Sequence, residues 1–239
     1  MVGFASIPER ERVIVALDCD RDRALELASL LEGKATWLKV GMTLFYQEGP
    51  HFVSELQQRG FKVFLDLKFH DIPHQVRGAA RAAAEAGADM VTMHAIGGIP
   101  MMQAAREGVI EACDGADVPV TLGITVLTSM SADDVLATGV QRSIPDQVAA
   151  LAQQAQEAGL SGVVASPQEA SMLRELLGAD AYIVTPGVRP VGSDKGDQSR
   201  VATPAEAFKN GASHIVIGRP ITASDDPAGA FDAIVKELS

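Results

Sequence analysis

The sequence predicts a single-domain (β/α)8 TIM barrel spanning residues 1–239. Short runs rich in β-branched and apolar residues alternate with longer Ala-, Leu- and Glu-rich stretches, in about eight successive pairs. Eight βα units close this kind of barrel, and about 250 residues is its ordinary length. Because no Pro/Gly/Ser-rich linker or long charge run divides the chain, one domain is expected.

The individual elements follow from local pattern. The first predicted strand, residues 12–18, is almost continuously apolar, as a strand with both faces buried should be. The helix after it covers residues 20–32 and ends before Gly33, a residue type that commonly terminates helices. The remaining strands are predicted over residues 36–41, 61–67, 89–95, 119–125, 160–165, 181–185 and 213–217. The remaining helices are predicted over residues 49–59, 73–86, 100–112, 146–158, 167–177, 204–210 and 227–238.

An open doubly wound sheet is the structural alternative, because it also alternates strands and helices. Eight units is a large number for an open sheet, and polar residues cluster at the ends of most predicted strands. The dinucleotide-binding pattern G-x-G-x-x-G is also absent after the first strand. These points favour the barrel.

Composition limits the class of partner. The formal net charge of −11 argues against a surface that binds nucleic acid or anionic lipid, although a local cationic cluster can still bind an anionic substrate. The two cysteines, Cys19 and Cys113, have neither metal-ligand spacing nor the density of a disulfide framework. No apolar stretch approaches the roughly 18 residues needed to span a bilayer. We expect a soluble, cytoplasmic protein with no nucleic-acid or membrane partner.

Charged residues stand at the predicted strand ends, which face the active site in a barrel. Lys39 lies within an otherwise apolar strand, where an unpaired ammonium would be costly. Asp66 and Lys68 are two residues apart, so an extended chain places them on the same face. Asp71 follows, although it could instead cap the next helix. The other polar residues at these ends are Asp18, His94, Thr125, Thr128, Ser166, Arg189 and Arg219.

A phosphate site is predicted after the seventh and eighth strands, the usual location in this fold. Gly218 allows backbone amides to approach an anion, and Arg219 supplies a forked donor that matches phosphate. A short helix starting there would add its dipole. The alternative is a glycine turn with a surface arginine. The polar loop from residue 185 to about 200 contains Arg189 and several glycines, which suggests a lid over the substrate.

The segment Asp-Leu-Lys-Phe-His-Asp-Ile-Pro at residues 66–73 resembles the signature of the orotidine 5′-phosphate decarboxylase family. Shorter matches surround it in order: Ala-Leu-Asp ending at Asp18, Leu-Lys-Val-Gly around Lys39, Leu-Thr-Ser around Thr128, Gly-Asp-Gln ending at Gln198, and Ile-Gly-Arg-Pro around Arg219. The resemblance implies a homodimeric carboxy-lyase that converts orotidine 5′-monophosphate to uridine 5′-monophosphate and CO2 in de novo pyrimidine biosynthesis, without metal or organic cofactor.

The resemblance also implies roles for individual residues. The charged catalytic tetrad would be Lys39, Asp66, Lys68 and Asp71, with Asp71 contributed by the other subunit. The implied substrate-binding residues are Asp18 at the ribose, Thr128 at the pyrimidine, Gln198 between base and phosphate, Arg189, Gly218 and Arg219 at the phosphate, and Lys39, Ile72 and Gln75. The family pattern has threonine where this chain has Gln75, which puts that contact in doubt. Ser131 is an alternative to Thr128.

The implied mechanism is electrostatic. Lys68 would stabilise the carbanion that forms at C6 and then protonate it, while Asp66 would repel the substrate carboxylate. Two alternatives remain at this point. One is a Mg²⁺-dependent sugar-phosphate decarboxylase or aldolase of the same superfamily, which shares the Asp-x-Lys-x-x-Asp strand. The other is a non-catalytic nucleotide-binding barrel.

Overall fold

The computed structural model describes residues 3–113, 117–190 and 202–238, and these residues form a closed barrel. All eight strands are parallel and follow chain order, and β1 pairs with β8 to close the sheet. The strands are β1 Val13–Ala16, β2 Trp37–Gly41, β3 Lys62–Phe69, β4 Met90–His94, β5 Val120–Ile124, β6 Gly162–Val164, β7 Tyr182–Thr185 and β8 His214–Ile217. The predicted (β/α)8 class is confirmed.

Helices surround the barrel. They are α1 Arg21–Leu31, α2 Met42–Glu48, α3 Pro50–Gln58, α4 Pro73–Glu85, α5 Ile99–Glu111, α6 Ala132–Ala137, α7 Ile144–Glu157, α8 Ala170–Leu177, α9 Pro204–Lys209, α10 Arg219–Thr222 and α11 Pro227–Leu238. Every predicted helix is present, and α10 is the short helix expected after Gly218. Helices α2 and α6 were not predicted as separate elements. Among the described residues, no helix combines the length and apolar character that crossing a membrane requires.

Each strand has two buried faces, which explains its continuous apolar sequence. In β1, Ile14 and Ala16 point into the barrel and pack with Trp37 and Phe64. Their neighbours point outward into the layer between sheet and helices, which forms the larger hydrophobic cluster. Because successive side chains alternate between the two faces, every second residue of a strand lines the interior.

Strand β3 differs from its prediction. It continues to Phe69 instead of ending at residue 67, and its pairing with β4 is irregular between Leu65 and Phe69. Within the described part of the chain, Lys68 is the one non-glycine residue with a positive φ, at 54°. Asp66 and Lys68 were predicted to share one face of an extended strand. The left-handed conformation of Lys68 means that this simple alternation does not relate them. A left-handed residue lies at the strand end and redirects its course.

An aromatic cluster fills the end of the barrel where the strands begin. His214 stacks on Tyr182, and its ring also meets the edges of Phe4 and Trp37. The imidazole is almost fully buried, and desolvation, followed by the positive charges of Arg12 and Lys62, lowers its pKa from 6.5 to about 3. The folded protein therefore holds His214 neutral across the whole range in which a free histidine titrates.

This burial predicts acid sensitivity. A histidine whose pKa is lower in the folded state leaves stability intact above pH 6.5 and reduces it as the pH falls, because the unfolded chain takes up the proton. Between pH 7 and 4.5 we expect a loss of about 2–3 kcal/mol from this residue. His214→Phe should lack this component in urea unfolding at both pH values. An equal pH-dependent loss in wild type and variant would contradict the assignment.

Candidate active site

A cavity of about 590 Å³ opens at the carboxyl ends of the strands. Its floor consists of inward-facing apolar residues, among them Phe64, Val164 and Val216, which belong to the barrel interior. Charged side chains line the wall above this floor: Asp18, Lys39, Asp66, Lys68, Arg189 and Arg219. Four of them are cationic and two are carboxylates, so the wall is net positive in a protein whose overall charge is −11.

Strand alternation places the charges above the floor. Lys39 lies two residues after the inward-facing Trp37, and Asp66 lies two residues after the inward-facing Phe64. Each therefore points inward, one layer closer to the mouth. The side chains are largely buried, with 10% of Lys39 and 13% of Asp66 exposed. The predicted convergence of these residues on one mouth is what the structure displays.

Asp66 is the centre of the charged cluster. Its Oδ2 lies 2.8 Å from Lys68 Nζ and 3.8 Å from Lys39 Nζ. Lys39 Nζ also contacts Asp18 Oδ1 at 3.0 Å, so acidic and basic groups alternate along the row. Gly41 leaves room for this pairing, since a Cβ there would lie 3.3 Å from Lys39 Nζ.

Electrostatics keeps this buried carboxylate ionised. Burial alone raises the pKa of Asp66, but the charges of Lys39 and Lys68, together with hydrogen bonds from Lys68 and Thr92, outweigh it. The pKa of Asp66 therefore lies below its ordinary value. The cluster presents a fixed negative charge beside the Lys68 ammonium at neutral pH.

The residues predicted to bind phosphate lie after β7 and β8. Arg189, Gly218 and Arg219 all line it, and α10 begins at Arg219. Gly187 also lines the cavity and has a φ of 77°, a conformation that favours glycine. Gln198, predicted to bridge base and phosphate, lies outside the described residues.

Asp71, Ile72 and Gln75 do not join this cavity. All three are exposed on the segment between β3 and the start of α4. The Asp71 carboxylate accepts a hydrogen bond from the Ile72 amide at 2.6 Å, whereas the residue at the N-cap of α4 is Ile72 itself. Within one chain, the predicted tetrad is therefore a triad of Lys39, Asp66 and Lys68.

The family model described as "Orotidine 5'-phosphate decarboxylase / HUMPS family" matches residues 11–234. The chain belongs to this family. Orotidine 5′-phosphate decarboxylase from Actinobacillus succinogenes is 48% identical over 229 residues, which cover 95% of this chain and 98% of the relative. The enzyme of the same name from Moorella thermoacetica is 49% identical over 233 residues, covering 96% of this chain and 92% of the relative.

Two solved structures superpose on the barrel of this chain. The crystal structure of orotidine 5′-phosphate decarboxylase from Lactobacillus acidophilus superposes with a TM-score of 0.86 at 41% identity, covering 96% of this chain and 99% of that one. An uncharacterised conserved protein from Geobacillus kaustophilus superposes with a TM-score of 0.84 at 36% identity.

The other polar residues predicted near the strand ends differ in whether they line the cavity. Thr128 lines the cavity, whereas Ser131 does not, and its hydroxyl caps α6 in a reciprocal pair with Asp134. His94 is partly buried beside His70 and does not line the cavity. The Thr125 hydroxyl donates to the Val164 carbonyl at 2.9 Å. No group of three or more His, Cys, Asp or Glu side chains in the described segments could hold a metal ion.

Two polar residues at the site were not predicted, Thr92 and Thr222, and Thr222 of α10 lines the cavity. Thr92 of β4 is fully buried, and its hydroxyl donates to Asp66 Oδ1 at 2.9 Å. The same hydroxyl accepts the backbone N–H of Lys68 at 2.9 Å. The sequence does contain a signal, because Thr92 lies two residues after the inward-facing Met90.

Proposed function

We propose that the chain converts orotidine 5′-monophosphate to uridine 5′-monophosphate and CO2, with Lys68 as the group that stabilises and protonates the product carbanion. Family membership and the relatives named for this activity support the decarboxylation itself. The row of Asp18, Lys39, Asp66 and Lys68 beside an apolar floor is the observation that carries the residue assignments.

The charges of the cavity match those of the substrate. Orotidine 5′-monophosphate carries a phosphate at one end and a carboxylate on the pyrimidine, and the wall offers two arginines after β7 and β8 and two lysines on β2 and β3. Arg189, Gly218 and Arg219 bind the phosphate in this proposal, and Gln198 joins them. Asp18 binds the ribose and Thr128 the pyrimidine, which places C6 near Lys68.

Loss of CO2 leaves an electron pair in the plane of the ring at C6, where the π system cannot delocalise it. A fixed positive charge at that position stabilises the transition state without rearrangement. The Lys68 ammonium supplies this charge, and one of its protons passes to C6. The Lys68 amine is left neutral and regains a proton from solvent after the product leaves.

Asp66 contributes by repelling the substrate carboxylate before it leaves. Two like charges about 4 Å apart interact by about 4 kcal/mol at an effective dielectric of ~20, which is equivalent to roughly three decades in rate. Binding of the remote phosphate offsets this repulsion, so the phosphate contacts contribute to the chemical step as well as to affinity.

The active form in this proposal is a homodimer in which Asp71 of each chain completes the site of the other. A second cavity of about 430 Å³ adjoins the first and shares Asp18, Lys39, Asp66 and Lys68 with it. Large apolar side chains are exposed after the neighbouring strands β2, β3 and β4: Met42, Tyr46, Ile72 and Ile96. Exposed apolar side chains of this size suit a protein interface. Across it, Ile72 and Gln75 approach the partner's substrate.

A cytoplasmic location without nucleic-acid or membrane partners also belongs to this proposal. Cys19 and Cys113 are not joined in a disulfide, as expected in a reducing compartment. The net charge of −11 disfavours binding to polyanions.

A Mg²⁺-dependent sugar-phosphate enzyme is the second candidate, since the family description includes more than one name. Two facts favour the nucleotide enzyme. Both oxygens of Asp66 already accept hydrogen bonds, from Lys68 and Thr92, and the relatives at 48% and 49% identity carry the decarboxylase name. Turnover of orotidine 5′-monophosphate in excess EDTA separates the candidates, because only the metal-dependent reaction stops.

Lys68→Ala should lower kcat for orotidine 5′-monophosphate at least about 1,000-fold, because it removes both the stabilising charge and the proton donor. The decrease in orotidylate absorbance measures the reaction. Lys209→Ala, at an exposed position near the end of α9, is the matched control and should retain wild-type kcat. Near-normal turnover by the Lys68 variant would refute the assignment.

Arg219→Ala should weaken binding of uridine 5′-monophosphate by about 2–4 kcal/mol, because the phosphate loses a charged, forked donor. Isothermal titration calorimetry measures the change. Arg81→Ala, on exposed α4, removes an arginine that pairs with Glu85 and should leave the affinity unchanged. Equal affinities for wild type and the Arg219 variant would rule out the phosphate role.

Subunit complementation tests the shared site. Chains carrying Lys68→Ala and chains carrying Asp71→Ala should each be nearly inactive, whereas their equal co-expression should restore about a quarter of wild-type activity. Half of the dimers are then mixed, and each mixed dimer has one intact site. Co-expression of Lys68→Ala with Asp66→Ala is the control and should restore nothing, because Asp66 and Lys68 meet within one chain. No recovery in the first mixture would contradict the shared site.

A further inference from the structure

Strand β3 is longer than β4 over the stretch that carries the charged cluster. Leu65 pairs with Val91 and Phe69 pairs with Met93, so three residues of β3 stand opposite a single residue of β4. That single residue is Thr92. This bulge in β3 contains Lys68, whose φ of 54° is left-handed.

The Thr92 hydroxyl holds two points of this bulge at once. It accepts the Lys68 backbone N–H and donates its own proton to Asp66 Oδ1, each over 2.9 Å. The directions are fixed, because an amide can only donate and an ionised carboxylate can only accept. Thr92 has 0% of its surface exposed, so solvent does not replace the hydroxyl readily.

The two oxygens of Asp66 have different partners. Oδ2 faces the ammonium groups of Lys68 and Lys39, whereas Oδ1 accepts from Thr92. Two long, flexible lysine side chains cannot by themselves fix the rotation of the carboxylate. A hydroxyl on a short β-branched side chain, anchored in a central strand, can do so. This hydrogen bond also helps to keep the pKa of Asp66 below its ordinary value.

We propose that Thr92 is a positioning residue for the decarboxylation, and that its hydroxyl sets both the orientation of the Asp66 carboxylate and the left-handed backbone that aims Lys68 into the cavity. The inference rests on the proposed function, since it assigns Thr92 a role through Asp66 and Lys68. Thr92 is not among the residues that line the cavity, so it acts without touching the substrate.

Thr92→Val tests the inference, because valine keeps the shape and removes the hydroxyl. We expect kcat for orotidine 5′-monophosphate to fall about 10- to 100-fold, since the carboxylate and the amide both lose a buried partner. The dissociation constant of uridine 5′-monophosphate should change by less than about threefold, because the phosphate contacts at β7 and β8 are untouched. Thr92→Ser should restore kcat to within about fivefold of wild type.

Thr121→Val provides the matched control. Thr121 is also a buried threonine on a barrel strand, and its hydroxyl accepts the Ser161 amide at 3.3 Å, but it does not line the cavity. This variant should lose stability while retaining wild-type kcat. If Thr92→Val fails to fold, Thr92→Ala takes its place in the experiment, and the same loss of kcat is expected.

Two results would overturn the inference while leaving the decarboxylase intact. One is a folded Thr92→Val or Thr92→Ala protein with kcat within about threefold of wild type. The other is a loss of kcat that Thr92→Ser does not rescue or that Thr121→Val reproduces. A wild-type protein without turnover would overturn the proposed function itself, so the two failures are distinguishable.

Discussion

A carboxylate buried near the mouth of a barrel can stay ionised only if positive charge faces it. Asp66 meets this condition because Lys39 from β2 and Lys68 from β3 both bring an ammonium group to its Oδ2. Removing either ammonium would leave the desolvated carboxylate with a single cationic neighbour, which is less favourable than the intact network. The network in turn ties together β2, β3 and, through Thr92, β4. The arrangement therefore depends on the registers of three adjacent strands and is fixed by the fold.

The two ends of the barrel differ in the side chains that they hold. Where the strands begin, apolar and aromatic side chains pack around His214, and that end contributes stability. Where they end, like and unlike charges are held close together, which serves chemistry at some expense to stability. The cations at the mouth come from two pairs of strands, with lysines on β2 and β3 and arginines after β7 and β8. A ligand with two anionic groups could pair with both sets of cations, whereas a ligand with one would leave one set unused.

Strand burial and strand alternation were predictable from sequence, and these account for the barrel, for Lys39 and for Asp66. Thr92 was overlooked although the same two-residue period identifies it, because a threonine in an apolar strand resembles ordinary β-sheet composition. The backbone conformation of Lys68 could not be predicted from the sequence, because a left-handed residue within a bulge depends on contacts with β4. Helix α2 was missed because a seven-residue segment is too short to show a clear helical period of apolar residues. The proposed subunit contact comes from the family resemblance alone, because hydrophobic periodicity indicates burial within one chain and not contacts between chains.

Closure of the sheet by β1 and β8 has a consequence for how the protein is made. These strands are separated by almost the whole chain, yet Val13 pairs with Ile215 and Val15 with Ile217. During synthesis, β1 exposes an unpaired edge until the last strand leaves the ribosome, a state prone to association with other chains. The site is divided in the same way, with Asp18 from the earliest part and Arg219 from the latest. The cavity is therefore complete only when the segment after the final strand is in place.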